Sequence, residues 1–73
     1  MQEQPSELKK LAAIAADLEL PVELRTNAIE QLGRIGSHEA LLVLLDIVAS
    51  EKRVLKERDL ALKQARGIIK AGH

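Results

Sequence analysis

Two arginines are the residues of this chain whose placement asks for chemistry. On a helical wheel at ~100° per residue, Arg25 falls in the middle of the stripe formed by Val22, Ala28, Ile29, Leu32 and Ile35. Arg58 falls likewise among Leu55, Ala61, Leu62, Ala65 and Ile69. A guanidinium has donors and no acceptor, so on an apolar face it must find oxygens or reach past the core to water. One chemistry this supports is capture of an anion or substrate. The other is structural, with the arginines bound to loop carbonyls or to a carboxylate such as Asp17, Asp46 or Glu51. The structural reading is preferred, because no companion residues complete a site.

Lys52, Lys56, Lys63, Arg66 and Lys70 form a second pattern, within ~80° of one wheel. A basic stripe on a helix is where phosphate binding would start. Asp59 lies inside the stripe, placed to pair with Lys63 at i,i+4, and the chain has no Phe, Tyr or Trp to stack on bases. The stripe therefore reads as a solvated face or a surface for an acidic protein, and nucleic acid is disfavoured. The two imidazoles, His38 and His73, stand far apart in no metal-ligand spacing. Glu23, Glu30, Asp46, Glu57 and Asp59 are expected over helix surfaces, unpaired in any cleft. Gly33 and Gly36 flank a helix end and do not open one, so they form no phosphate loop. Catalysis, cofactor and metal are not expected.

The elements that position these residues are helical. The chain has 73 residues, equal numbers of acidic and basic groups, and no Cys. Zero net charge gives no global field to draw in DNA or an anionic membrane. The core must be built from Leu, Ile, Val and Ala, which suit close helix–helix packing. No basic, apolar leader opens the sequence, and the longest apolar run, Ala40–Leu45, is far short of the ~20 residues of a membrane span. A soluble cytoplasmic protein is the expectation. Ser6 is predicted to cap a first helix running to about Asp17, which Leu20-Pro21 breaks. A second helix follows Pro21 to about Ile35 and stops at Gly36. Ser37 caps a third, from His38 to about Ser50, and the fourth runs from about Val54 to Ala71, ending at Gly72. Short connections make neighbours antiparallel.

The first and second halves repeat. Residues 8–35 and 41–68 align without gaps at an offset of 33, matching at Leu8/Leu41, Leu11/Leu44, Ile14/Ile47, Arg25/Arg58, Ala28/Ala61 and Gln31/Gln64, among others. A fixed period of this length marks a stacked array of hairpins. The segments Glu23-Leu24-Arg25, Ala28 to Gly36 and His38-Glu39-Ala40-Leu41 resemble the HEAT-repeat superfamily, particularly the short bacterial and archaeal HEAT-like repeats seen in phycobilisome lyases. The similarity is to a pattern in which an arginine opens the second helix and a glycine closes it. The second copy departs from it, with Ala65-Arg66-Gly67-Ile68-Ile69 where the first has Leu32-Gly33-Arg34-Ile35-Gly36.

The resemblance implies one all-α domain over residues 1–73, a HEAT-like solenoid fragment of two stacked hairpins at about 6–36 and 37–72. It also implies that Arg25 and Arg58 are structural. The implied role is a small non-catalytic scaffold that binds another protein, with a homodimer as one form. An accessory subunit or chromophore-lyase-like component is the alternative, and nucleic-acid binding through the fourth helix ranks below it. The candidate interaction surface is Leu42, Val43, Lys56, Lys63, Arg66 and Lys70. Leu42 and Val43 replace Lys9 and Lys10 of the first copy, and so predict an apolar end where a third repeat would stack.

Overall fold

The computed structural model describes residues 3–72, with side chains for residues 7–71. Four helices account for nearly all of it: α1 (Glu3–Ala16), α2 (Val22–Ile35), α3 (His38–Ala49) and α4 (Leu55–Gly72). No strand occurs among the described residues.

Local chemistry sets most of the boundaries. Pro21 precedes α2 with φ −58° and ψ 148°, and Glu23 sits in the first turn, where the helix dipole favours an acid. Gly36 ends α2 at φ 66°, a left-handed conformation that costs glycine little, and its N–H donates to Leu32 O. The hydroxyl of Ser37 accepts the Ala40 N–H at 3.1 Å and starts α3 as expected. The first helix differs from expectation. It begins at Glu3, so Ser6 lies inside it and is not its cap. Proline is tolerated in a first turn, where its missing N–H would have had no helical partner, so Pro5 does not hold the start back.

The 33-residue offset is present in the backbone. Helices α1 and α3 end at Ala16 and Ala49, and α2 and α4 begin at Val22 and Leu55. The turns between them carry the same bonds one repeat apart. Asp17 N–H donates to Ile14 O and Ser50 N–H to Ile47 O, at 3.2 and 3.1 Å. Leu20 N–H donates to Asp17 O and Arg53 N–H to Ser50 O, at 3.1 and 3.4 Å. Pro21 O accepts from Leu24 and Arg25, as Val54 O does from Glu57 and Arg58. Two sequences with different residues in the turn thus make one turn geometry.

The first hairpin pairs α1 with α2, the second pairs α3 with α4, and they stack chiefly through α2 on α4. The body measures 32 × 28 × 16 Å. Its fully buried core is Ala15, Ala28, Ile29, Leu32, Ala40, Leu44, Ile47, Ala61 and Ala65. Five of these nine are alanines, so the helices are held close by small side chains where aromatic ones would have kept them apart. Leu8, Leu11, Ile14, Leu41, Val43 and Ile68, among others, close over the edges.

Candidate functional site

The seam between the hairpins holds the buried charge. Glu57, in the first turn of α4, is completely buried, and both of its oxygens are taken by arginines. Its Oε2 accepts from Nε of Arg25 at 3.1 Å and also from Nη2 of Arg25. Its Oε1 accepts from Nη1 of Arg53 at 2.9 Å. The remaining reach of Arg25 goes to the turn of its own hairpin, where Nη1 donates to Leu18 O and Leu20 O at 3.2 and 2.5 Å. Arg25 therefore ties the α1–α2 turn to α4, and Arg53 ties the α3–α4 turn to the same carboxylate. Burial opposes the charge on Glu57. The hydrogen bonds and positive charges of Arg25 and Arg53 together outweigh it and hold the carboxyl below its ordinary value. No buried polar side-chain atom lacks a partner among the described residues.

This placement settles where the sequence-predicted residues go. Arg25 binds loop carbonyls, as the structural reading expected, but its carboxylate is none of those expected from the sequence. Asp17, Asp46 and Glu51 are all exposed, and Asp17 instead accepts the Glu19 N–H at 3.0 Å within the turn. Glu57, expected on a helix surface, is the buried partner, because the face of α4 on which it lies is the one that meets α2. Arg58 is half-buried, and its Nε donates to Val48 O at 3.1 Å. That oxygen is among the last carbonyls of α3, which have no partner within the helix and favour a cation.

The expected interaction residues do not form one patch. Leu42 is 50% exposed. Val43 is half-buried and lines a groove with Ala12 and Ala16 of α1, so it belongs to the side of the stack. Lys56, Lys63, Arg66 and Lys70 are exposed along α4, where Lys63, Arg66 and Lys70 line an open depression with Asp59, Leu62 and Ile69. Asp59 and Lys63 form no ion pair among the described residues, although their spacing allows one. Water competes well for two exposed charges, and such pairs are worth only tenths of a kcal/mol. His38 is exposed at the start of α3, and His73 lies outside the described residues. Among the described residues no three His, Cys, Asp or Glu side chains cluster as a metal site would require. Among the described residues no helix is long and apolar enough to cross a membrane.

The repeat also assigns each remaining face. Gln64 of α4 lies over Gly33 of α2, so close that a β-carbon on Gly33 would stand 3.0 Å from the Gln64 Cβ and 2.8 Å from its Cδ. With Arg25–Glu57, this gives two contacts in the same order along both helices, so α2 and α4 run parallel. Advancing α2 by one repeat places Arg58, Leu62 and Arg66 where Arg25, Ile29 and Gly33 stand, facing away from the first hairpin. Moving α4 and the turn before it back by one repeat places Leu20, Leu24 and Gln31 where Arg53, Glu57 and Gln64 stand. These do line a shallow apolar groove at the opposite end, with Leu11, Ile14 and Asn27. Comparison with protein-family models, with curated proteins and with solved structures gives no match.

Proposed function

We propose that this chain is a small, non-catalytic protein-interaction module of HEAT-like hairpins, cytoplasmic, with no cofactor. One observation carries the reading. The second hairpin leaves Leu42 and Leu45 of α3 and Leu55, Leu62 and Ile69 of α4 exposed, and Leu62 and Ile69 line one open depression on α4. Isolated exposed leucines are ordinary, whereas apolar side chains that share one depression mark a surface that gains by being covered. The same depression carries Arg66, Lys63 and Lys70, so its covering has both an apolar and a basic component. Catalytic chemistry has no counterpart support, since Glu57 and its two arginines are consumed by one another.

The test is partner capture with the intact chain and with a Leu42→Lys, Leu62→Lys variant. Each retained protein is then purified and its binding measured as a pair. A partner held by the wild type and lost by the folded variant supports the reading. Retention of the same partners by both variant and wild type would sink it, as would the absence of any pairwise complex. Light scattering over a range of concentration shows separately whether the partner is a second copy.

A further inference from the structure

We propose that the outward face of α4, bearing Arg58, Leu62, Arg66 and Ile69, docks a helix of another protein that presents two carboxylates seven residues apart. This deepens the reading as an interaction module and rests on it.

The occupant's chemistry is written in the seam between the hairpins. There the face of α2 formed by Arg25, Ile29 and Gly33 receives α4 through Glu57, Ala61 and Gln64. Arg25 meets Glu57, the glycine makes room for Gln64, and the apolar contact between them is closed by Ile29 and Ala61, both buried. One repeat on, the same face reads Arg58, Leu62 and Arg66. Arg58 keeps the guanidinium but has no carboxylate in ion-pair range among the described residues, and only its Nε is engaged, with Val48 O. Leu62, the counterpart of fully buried Ile29, is exposed. Arg66 replaces Gly33, so the position that received a neutral glutamine now offers a positive charge. A helix running along this face in the register of α4 on α2, but held further out at the Arg66 end where the space left by the glycine is filled, would therefore carry an acid at the position of Glu57 and a second at that of Gln64, within reach of the long Arg66 side chain. Small residues would stand between them, at the positions of Ala61 and Ala65. Lys63 and Lys70 border the face and Asp59 interrupts it, leaving the surround net positive.

A second copy of the chain does not fit as a continuation of the stack. Stacked head to tail, it would bring the Leu20–Leu24–Gln31 end onto Arg58 and Arg66. Leu24 would stand where Glu57 should, leaving Arg58 covered without a partner, and the neutral Gln31 would face Arg66 in place of a carboxylate. A buried charge left unpaired is strongly unfavourable.

The probe is a labelled peptide of residues 50–72 carrying Gln64→Glu, titrated into the full chain and followed by fluorescence anisotropy. Saturable binding is expected, weakened at least tenfold when Glu57 and the new Glu are both made Gln. Leu62→Asp in the chain should abolish it. A charge swap fixes the register: the exposed Arg66→Glu variant should lose this peptide and bind one carrying Gln64→Lys. Circular dichroism confirms that each variant is folded. No binding by the wild type would overturn the proposal, as would binding indifferent to the carboxylates or to the swap. Concentration-dependent growth of the chain alone, abolished by Leu62→Asp, would overturn it in favour of a second copy. In each case the module reading stands or falls separately on the partner capture above.

Discussion

Leu24 and Glu57 occupy the same position of the two hairpins, yet the leucine is 49% exposed and the glutamate is wholly buried. Four residues earlier the relation recurs, with half-buried Leu20 against buried Arg53. The usual distribution is inverted because the position faces outward at one end of the stack and inward at the seam. Polarity follows the partner across the interface: Arg25 is there for Glu57, and among the described residues no helix of another hairpin covers Leu24.

Replacing Glu57 should be the most damaging single change away from the aliphatic core. Glu57→Gln leaves Arg25 and Arg53 buried beside a neutral group, and breaking a buried pair from one side costs roughly 3 kcal/mol or more. A core of this size supplies only about 3–5 kcal/mol in total, so the variant should be largely unfolded at room temperature. Glu51→Gln, on the exposed turn, should melt with the wild type. Thermal denaturation followed by circular dichroism distinguishes them.

Stability should fall in acid, with Glu57 as a main contributor. Its carboxyl is held below the ordinary value of 4.5 in the folded chain, so the unfolded chain takes up the proton first. The stabilisation is therefore complete above the ordinary value and is lost as the pH drops through the lowered one. Urea midpoints measured from neutral pH downward should decline across that window. A Glu57→Gln chain, kept folded by an osmolyte, should show a shallower decline.

Arg58 and Arg66 differ by eight positions on one helix and should differ in consequence. Arg58→Ala removes the Nε bond to Val48 O at the end of α3 and should cost about 1 kcal/mol. Arg66→Ala touches an exposed side chain and should leave the melting temperature within the ±0.5 kcal/mol typical of surface changes. Equal melting temperatures for the two variants would mean that Arg58 does not hold α3.

The glycines should separate by site. At Gly67, in the middle of α4, an added β-carbon meets nothing within 4 Å, so Gly67→Ala should stabilise by about 1 kcal/mol through helix propensity alone. Gly36→Ala forces a side chain into φ 66° and should destabilise by about 1 kcal/mol. Gly33→Ala should gain less than Gly67→Ala, because Gln64 has to move, and Gln64→Ala should restore part of the difference. Chemical denaturation of the four variants gives the order.

Much of the architecture is legible in the sequence, because turn chemistry and apolar spacing are local. Pro21, Gly36 and Ser37 mark their boundaries by their own backbone preferences, and the 33-residue offset survives as identical turn bonds. The buried charges are less legible. The apolar stripe around Arg25 shows that it needs acceptors. It does not show that the acceptor stands 32 residues on, because that depends on which face of α4 meets α2. A signal was present: at offset 33, Leu20 and Leu24 become Arg53 and Glu57, an ion pair at i,i+4 replacing two leucines. Leu42 and Val43 were read as one apolar end, but adjacent residues on a helix point about 100° apart, so only Leu42 faces outward.

The ion pair across the seam also imposes an order of events on folding. Each hairpin closes on contacts between neighbours in the chain, whereas Arg25 and Glu57 are separated by 32 residues. Local helix pairing is fast, and contacts at long sequence separation wait for it. As the chain emerges from the ribosome, the first hairpin can form while Arg25 holds only the carbonyls of Leu18 and Leu20. Arg25 and Arg53 lose water together when α4 arrives with Glu57, so the costly desolvation and its compensation fall in a single late step. Such a step makes the two hairpins one cooperative unit.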